Sequence, residues 1–345
     1  MISKVLFYKV TLGKLRWCIL CLPLLFLFKL TNAQEKDTLN TTLLKVFQTV
    51  KSNSLYSKKV DWNKLEQSIF NKTDAPLGFS EFKNKVKLLF SSIGDRHASL
   101  SIKGQTIRGF ELHQLRPSLL KELKTSPTSL RTQMIDSNYG YILIPGNSLK
   151  DDVKKLSQAI QDSLCKLINK PLNGLIIDLR AHEGGSILPP FTGLHQVIGN
   201  GNFGAFGSLD GKTKVTWKLK DGKLYLQQKF VGAVKSNCKC SKNLKVAILL
   251  SQLTASAGEQ LAIALRGRPN TIFIGEKTYG LTTGNVAFSI DGHLLVLSAS
   301  LSEDRTGKIY IGTFDPDIEL IEGDNFKNLN QDAKVIEALK WFKAN

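Results

Sequence analysis

The stretch VAILLSQLTASAGEQLAIAL, residues 246–265, joins an apolar run to a helical pattern through six small or polar residues. The five apolar residues at 246–250 predict a buried strand of a parallel sheet. The pattern from Glu259 onward predicts a short buried helix. Ser256 therefore falls on a strand-to-helix turn, where the free N–H groups of a helix N-terminus stabilise negative charge. A serine at such a turn is either a nucleophile or a simple helix N-cap, and this stretch alone leaves both interpretations open.

The same alternation of strands and helices continues on both sides of this stretch. Buried strands are predicted at 139–146 and 173–180, with an amphipathic helix between them, and a third strand is predicted at 271–275. Such alternation is typical of a parallel sheet covered by helices. Asp-Gly turns at 221–222 and 291–292 predict two hairpins of antiparallel strands. The expected fold class is α/β, with a mixed sheet that has parallel core strands and covering helices.

The chain is expected to divide into three segments. In residues 1–33, basic residues precede a short apolar run at 17–28, and small residues end at Ala33, which is the pattern of a signal peptide. The run is too short to span a bilayer comfortably. We expect cleavage after Ala33 and export to the periplasm or the cell exterior, with membrane association only if the segment stays uncleaved. A small helical N-terminal part is predicted at 34–96, and the α/β core at 97–345.

Charge and cysteine content limit the partners and cofactors. The chain has 47 basic and 29 acidic residues, but the lysines are scattered without aromatic interleaving, so no nucleic-acid binding is expected. No metal or organic cofactor is expected either. Outside the signal segment, the three cysteines Cys165, Cys238 and Cys240 imply no complete disulfide framework. We interpret Cys238 and Cys240 as thiols of a polar surface loop, with a metal site or a strained bridge as the alternatives.

Two further places carry residue types suited to catalysis. His97 follows a helix that ends at Gly94, where it is either a solvated loop residue or a base with a pKa suited to neutral pH. Gly184 and Gly185 follow a buried strand, and they form either an ordinary tight turn or a loop whose N–H groups face a ligand. A glycine-rich loop, residues 274–285, again follows a buried strand. Loops at one edge of a sheet form one crevice.

Six short motifs follow one another in a fixed order along the chain. They are G-D-x-H, Y-G-Y-I-x-I-P, I-I-D-L-R-x-x-x-G-G, T-A-S-A-x-E, G-E-x-T-x-G and P-D, at Gly94–His97, Tyr139–Pro145, Ile176–Gly185, Thr254–Glu259, Gly275–Gly280 and Pro316–Asp317. Each motif is weak alone, but six in one order are specific. The chain resembles the S41-type serine peptidases, the family of the carboxyl-terminal-processing and tricorn-like enzymes, over roughly residues 60 to 340.

The resemblance implies a ClpP/crotonase-like core and an exported serine endopeptidase that cleaves peptides or unfolded proteins. It implies that Ser256 is the nucleophile. It also implies an oxyanion hole formed by the N–H of Ala257 and that of Gly184 or Gly185. A serine nucleophile needs a base. Because Leu281 stands where the processing peptidases carry a lysine, His97 is expected to be that base, with a rate that rises through a pH of roughly 6 to 7.

The histidine base resembles the tricorn-like and nisin-resistance-like branch of the family. Only residues 98–138 separate His97 from the Y-G-Y strand, too few for a PDZ domain, and the nisin-resistance peptidases also lack one. His182 stands where the family usually has Asn, and we interpret it as a hydrogen-bonding substitute, with a second ionisable group as the alternative. Lys277 stands at a different point of the loop from the missing lysine.

The sequence does not identify the acid that orients His97, and it leaves two functions open. Candidate orienting acids are Glu259 and Glu276, with Glu303 and Asp304 as alternatives. The rival function is a catalytically inactive S41-like module that binds an apolar ligand or a peptide, as the similar retinoid-binding proteins of the eye bind theirs. A serine-directed probe separates the two functions.

Overall fold

The computed structural model describes residues 23–70, 77–111, 114–148 and 151–344, with side chains described from Thr38 onward. The helices are α1 Pro23–Asn53, α2 Trp62–Ile69, α3 Phe79–Ser92, α4 Pro117–Thr125, α5 Val153–Ile168, α6 Leu188–Gly193, α7 His195–Ile198, α8 Ala257–Leu265 and α9 Ala333–Ala344. The first 22 residues of the predicted signal segment lie outside the described residues, and α1 continues through its predicted cleavage point.

The strands fall into two sheets. They are β1 Ser99–Ile102, β2 Gln105–Arg108, β3 Arg131–Ile135, β4 Tyr139–Leu143, β5 Gly174–Asp178, β6 Gly201–Gly207, β7 Lys214–Lys220, β8 Lys223–Leu226, β9 Lys229–Ala233, β10 Val246–Leu250, β11 Thr271–Gly275, β12 Gly284–Ile290, β13 His293–Asp304, β14 Ile309–Tyr310 and β15 Ile318–Glu319.

The first sheet has six strands in the order β15-β11-β10-β5-β4-β3. All neighbours pair in parallel except β3 and β4, which are antiparallel. Every residue of β4, β5 and β10 is buried, because helices or loops cover both faces of the sheet. The predicted α/β class with a mixed sheet and parallel core strands is confirmed.

The second sheet has nine strands, and it is antiparallel throughout. Its centre is β13, which pairs with β1, β6, β12 and β14. The two predicted Asp-Gly turns are present, with positive φ at both residues of each: Asp221 (50°), Gly222 (74°), Asp291 (50°) and Gly292 (79°). The sequence indicated these hairpins only as additions to a single sheet. Pairing between β1 and β13 joins residues nearly 200 positions apart, which no local pattern reveals.

The helical N-terminal part shares its apolar core with the second sheet. Side chains of α1, α2 and α3 pack against β1, β2 and β13 in one buried cluster that includes Phe47, Phe82, Phe90, Leu100 and Leu297. Phe47 also makes edge-to-face contacts with Trp62 and Phe70. The helices therefore rest on the strands that follow the predicted domain boundary at residue 97.

The interpretation of Cys238 as an incidental surface thiol is wrong. Cys238 forms a disulfide with Cys165 on α5, with 5.4 Å between the two Cα atoms, and it is 7% exposed. The two cysteines are 73 residues apart in sequence. Counting cysteines could not identify the pair, because the fold alone brings α5 beside the segment that precedes β10. Cys240 is a free, half-buried thiol.

We expect the Cys165→Ser/Cys238→Ser double variant to lose about 2 to 4 kcal/mol of unfolding free energy, because the bond restricts a long loop of the unfolded chain. Urea unfolding without a reducing agent measures the loss. Cys240→Ser is the matched control and should unfold at the same urea concentration as the wild type. A double variant as stable as this control contradicts the prediction.

Candidate active site

Three loops that carry predicted site residues leave the same edge of the six-stranded sheet. They follow the carboxyl ends of β5, β10 and β11, which are adjacent strands. The loop after β5 contains the double glycine, the loop after β10 contains Ser256, and the loop after β11 is the glycine-rich segment. A crevice at this edge is the usual ligand site of an open α/β sheet.

Ser256 lies at a strained strand-to-helix turn. It directly precedes α8, and its φ of 49° and ψ of −112° are rare for a residue with a side chain. Ala255 N–H donates to the His182 carbonyl at 2.9 Å, and the Thr254 hydroxyl donates to the Leu179 carbonyl at 2.9 Å. These bonds to the loop after β5 hold the turn. Ser256 is partly exposed, whereas the residues on either side of it are buried.

Glu259 connects this turn to the glycine-rich loop. Its carboxylate is fully buried and accepts hydrogen bonds from the N–H groups of Ser256, Gly280 and Leu281, each at 2.8 Å, and from the Thr278 hydroxyl at 2.5 Å. Burial raises the pKa of Glu259 to about 7, although all four donors act to lower it. One carboxylate thus fixes the position of the nucleophile turn relative to the loop after β11.

The double-glycine loop lies against Ser256. A Cβ on Gly184 would come within 3.1 Å of the Ser256 Cβ, and a Cβ on Gly185 would come within 2.0 Å of the Asn147 carbonyl oxygen. Both glycines also have positive φ, 124° and 114°. A side chain at either position would therefore displace the loop or the nucleophile.

His182 supports this loop from beneath. It is fully buried, its Nδ1 accepts the N–H of Gly184 at 3.3 Å, and burial lowers its pKa to about 4. A Cβ on Gly258 would meet the imidazole at 3.0 Å, so α8 begins in contact with the ring. A neutral imidazole that accepts a backbone N–H acts here as a hydrogen-bonding side chain. This is the role we expected of it as a substitute for Asn.

His97 lies just before β1 of the nine-stranded sheet, in a network of polar side chains. Its Nδ1 is 3.0 Å from the Thr283 hydroxyl, and its Nε2 is 2.8 Å from Asn285 Nδ2. The backbone N–H of His97 donates to Asp95 at 3.0 Å. Burial, with a smaller contribution from the positive charge of Arg108, lowers the pKa of His97 to about 4. This differs from the ordinary value that the sequence suggested.

No hydrogen bond joins His97 to Ser256 within the part of the chain that the structure describes. Asn285 instead occupies the Nε2 atom of the imidazole. Asn285 is exposed and lies at an irregularity in the pairing of β12 with β13, so its side chain has room to move. The glycine-rich loop contacts both His97, through Thr283, and the Ser256 turn, through Glu259. The predicted base and the predicted nucleophile are nevertheless not paired.

Residues 138–320 match the model of peptidase family S41, which is more than half of the chain. This chain belongs to peptidase family S41.

Two curated proteins are similar to this chain in sequence. The Nisin-resistance protein of Lactococcus lactis is 28% identical over 179 residues, which cover 50% of this chain and 50% of the relative. The carboxy-terminal processing protease CtpA of Bacillus subtilis is 30% identical over 211 residues, which cover 60% of this chain and 36% of the relative. The matched segments thus span half or less of the relatives. The family resemblance recognised in the six motifs is confirmed.

Solved structures show the same fold over most of the chain. A lipoprotein from Streptococcus agalactiae has a TM-score of 0.65 at 22% identity, covering 89% of this chain and 96% of that one. The photosystem II D1 C-terminal processing protease has a TM-score of 0.54 at 13% identity, covering 85% and 96%. These matches extend the similarity in fold beyond the segment that the S41 family model covers.

Leu281, at the place where the sequence analysis expected the lysine of the processing peptidases, contributes only its backbone N–H to the site. Leu281 donates its N–H to Glu259, and Lys277 is exposed, with its Nζ 3.9 Å from Asp315 Oδ1. Neither side chain takes part in the network around His97 or in the contacts of the Ser256 turn that the structure describes.

The candidate orienting acids have partners other than His97. The four donors described above surround Glu259, and Glu276 forms a buried ion pair with Arg116 at 2.8 Å. The alternatives Glu303 and Asp304 contact Lys214 and the Tyr310 hydroxyl, respectively.

The residues that do contact the His97 imidazole, Thr283 and Asn285, were not identified from the sequence. Their one signal was their place at the carboxyl end of the glycine-rich loop. Among the described residues, no group of three or more His, Cys, Asp or Glu side chains is arranged to hold a metal ion.

We expect Glu259→Gln to lose about 2 to 4 kcal/mol of unfolding free energy, because an amide leaves buried N–H donors without an acceptor. Urea unfolding at pH 8 measures it. The matched control is Glu303→Gln, since its partner Lys214 is half exposed and the pair should contribute less than about 1 kcal/mol. Equal stability of the two variants contradicts the proposed connection between the turn and the glycine-rich loop.

Proposed function

We propose that this protein is a serine peptidase in which Ser256 is the nucleophile and His97 the general base. The observation that carries the proposal is the strained turn of Ser256. This turn presents a partly exposed hydroxyl at the N-terminus of α8, against the backbone of Gly184. Strained residues of this kind occur where function requires a fixed side-chain direction.

The chemistry follows from these positions. Ser256 Oγ attacks the peptide carbonyl carbon while His97 Nε2 takes the hydroxyl proton. The C–N bond then breaks, and His97 transfers the proton to the leaving amine. Water attacks the acyl-serine in the second half, with His97 taking and returning a proton, so that the carboxylic acid leaves and Ser256 is restored.

Backbone donors supply the oxyanion hole in this mechanism. Ala257 is the first residue of α8, and its N–H has no acceptor among the described residues. The second donor comes from the double-glycine loop. Gly184 is the nearer glycine to Ser256, and its N–H forms only a long bond, 3.3 Å, to His182. Gly185 shapes the loop against Asn147, and its own N–H is the alternative donor.

The base must exchange partners before it acts. Asn285 Nδ2 is 2.8 Å from His97 Nε2, and catalytic hydrogen bonds are often completed only when substrate binds. The bond between His97 and Asn285 is also the observation that favours the second candidate function, a binding module in which Ser256 never meets a base.

A cleft beside the nucleophile turn fits a peptide substrate. Its volume is about 330 Å³, and its lining includes Arg96, Gln252, Tyr279 and Ile321. Arg96 precedes the proposed base, and the Tyr279 N–H donates to the carbonyl of Thr254 at 2.9 Å, close to Ser256. Residues of both loops thus line the cleft, although Ser256 and His97 themselves are not in its lining. We propose peptides or unfolded proteins as substrates.

Export is part of the proposal. The Cys165–Cys238 disulfide supports an oxidising compartment, since such bonds are rare in the cytosol. Two of the related proteins are described as a lipoprotein and as a nisin-resistance protein. Within the described residues, no helix is both long and apolar enough to cross a bilayer. We propose a periplasmic or extracellular protein, anchored to the membrane only if its N-terminal segment is retained.

We expect Ser256→Ala to abolish cleavage of fluorescent casein and labelling by a fluorophosphonate probe, because both require the hydroxyl. His97→Ala should lower kcat/KM by about 10²- to 10⁴-fold, the usual effect of losing a general base. Lys277→Ala is the control and should keep the wild-type kcat, since Lys277 is exposed and pairs with Asp315; because Lys277 lines the cleft, any effect should fall on KM. A wild type that neither cleaves nor is labelled supports the binding module. An active His97→Ala beside an inactive Lys277→Ala would restore a displaced serine–lysine mechanism.

The pH dependence follows from the lowered pKa of His97. A base must be neutral to accept a proton, and burial keeps His97 neutral down to a pH of about 4. The wild-type kcat/KM should therefore rise with pH through a transition near 4, below the range of 6 to 7 that an ordinary histidine implies. The charged groups around His97 are Asp95 and Arg108. A transition near 7 that disappears in Glu259→Gln would assign the titration to Glu259 and contradict this prediction.

A further inference from the structure

We infer that Thr283, Ser298 and the buried carboxylate of Asp95 position His97 by fixing which of its ring nitrogens carries the proton. This inference rests on the proposed role of His97 as the base. It replaces the carboxylate partner expected from the sequence with a chain of two hydroxyl groups that ends at a carboxylate. We call this chain, Thr283–Ser298–Asp95, the hydroxyl relay.

The direction of the relay is set at its buried end. Asp95 is 1% exposed and, as a carboxylate, can only accept hydrogen bonds. Ser298 donates its hydroxyl to Asp95 Oδ1 at 2.7 Å and its N–H to Oδ2 at 2.9 Å. The N–H groups of His97 and Ala98 also donate to Oδ1, at 3.0 and 3.2 Å. The hydroxyl proton of Ser298 is therefore committed to Asp95.

The donation from Ser298 to Asp95 determines the direction of the hydrogen bond between Thr283 and Ser298. Ser298 Oγ is 2.8 Å from Thr283 Oγ1, and since Ser298 has no second proton, Thr283 must be the donor in this pair. Thr283 Oγ1 then has only lone pairs to offer to His97 Nδ1, which is 3.0 Å away. His97 must therefore carry its proton on Nδ1. The competing acceptor for the Thr283 proton, Asn285 Oδ1, is more distant at 3.5 Å.

The opposite side of the imidazole agrees with this assignment. Asn285 approaches Nε2 with its amide nitrogen, which can only donate, at 2.8 Å. A donor at Nε2 requires a lone pair on that atom. Both neighbours thus select the neutral form with a proton on Nδ1 and a free electron pair on Nε2. This is the form in which Nε2 can accept the proton of the nucleophile.

The relay is also rigid, which a positioning device requires. Ser298 is fully buried in β13, and Thr283 is 8% exposed, directly before β12. The Ser298 carbonyl accepts the N–H of Leu55 at 2.8 Å, so the chain between α1 and α2 holds the strand from its other side. Asp95 therefore acts on His97 through two hydroxyl groups held on adjacent strands.

Thr283→Val tests the inference, because valine keeps the shape of threonine and removes the hydroxyl. We expect kcat on fluorescent casein to fall about 10- to 100-fold with KM unchanged, less than the roughly 10⁴-fold cost of a wrong tautomer in the well-studied serine proteases. Thr283→Ser keeps a hydroxyl and should retain most of the wild-type kcat. Thr106→Val is the matched control, since among the described residues the Thr106 hydroxyl contacts only Ser101, on an exposed face of the same sheet.

A spectroscopic measurement detects the tautomer without any substrate. Nitrogen-15 NMR of the full chain labelled at its five histidines, with His97 assigned by its loss in His97→Gln, distinguishes a protonated Nδ1 from a protonated Nε2. We expect the Nδ1 form in the wild type, Thr283→Ser and Thr106→Val, and a shift towards the Nε2 form in Thr283→Val. A merely structural role for Thr283 would leave this signal unchanged.

Ser298→Ala provides a second test that does not depend on the folding of Thr283→Val. Without the Ser298 oxygen, the Thr283 proton is free to point at Nδ1 and favours the Nε2 form. The kcat of the Thr283→Val/Ser298→Ala double variant should then be no lower than that of Thr283→Val alone. Both substitutions interrupt the same relay, so their effects should not add.

The outcomes separate this inference from the proposed function. If Ser256→Ala and His97→Ala are inactive but Thr283→Val and Ser298→Ala keep the wild-type kcat and tautomer, the relay is wrong and the peptidase stands. If Ser256→Ala and His97→Ala cleave like the wild type, the proposed function fails. An Nε2-protonated His97 in the wild type overturns the relay whatever the activity.

Discussion

A buried carboxylate on the first turn of a helix is the constraint on which the candidate site depends. Glu259 lies three residues after Ser256 and accepts the N–H of that residue, while its other bonds reach across to the glycine-rich loop. A buried carboxylate is costly unless donors surround it, so the two loops must keep their relative positions for Glu259 to be tolerated at all. The strained backbone conformation of Ser256 is maintained by the hydrogen bonds on both sides of it, from its own N–H to Glu259 and from the Ala255 N–H to the His182 carbonyl.

A second group of buried charges supports the same sheet edge from below. Arg180, fully buried, donates to Asp178, Asp324 and Asp332, and Lys334 pairs with Asp324 at 2.9 Å. Although burial acts to raise the pKa of Asp324, the surrounding cations lower it to about 2. The charges tie the segment before α9 to the end of β5, where the double-glycine loop begins. Removing one member would leave another charge buried without a partner.

The sequence predicted those features that depend on local patterns. Apolar runs identified β4, β5, β10 and β11, the Asp-Gly pairs identified two hairpins, and the order of the motifs identified the S41 family. The strand-to-helix turn also indicated where Ser256 would lie. These predictions succeeded because a buried parallel strand and a tight turn each leave a signature within about ten residues.

The features that the sequence did not predict depend on contacts between distant segments. Thr283 contacts His97, and Ser298 contacts Thr283, only because β12 and β13 pair beside the segment that begins at β1. The partner of Cys238 was hidden for the same reason. An acid was expected beside His97 because carboxylates are the usual partners of a catalytic histidine, and no local pattern shows that a hydroxyl takes that place.

The central position of β13 gives the helical N-terminal part a meaning that its sequence does not suggest. The S41 family model begins at residue 138, downstream of His97 and of β1, on which α1 to α3 pack. A fragment cut to the family segment would keep Ser256, Glu259 and both glycines, yet it would lack the proposed base and β1, one of the four strands that pair with β13. The proposed catalytic unit is therefore larger than the segment that the family model matches, and its base lies just before β1, one of the strands against which the helical N-terminal part packs.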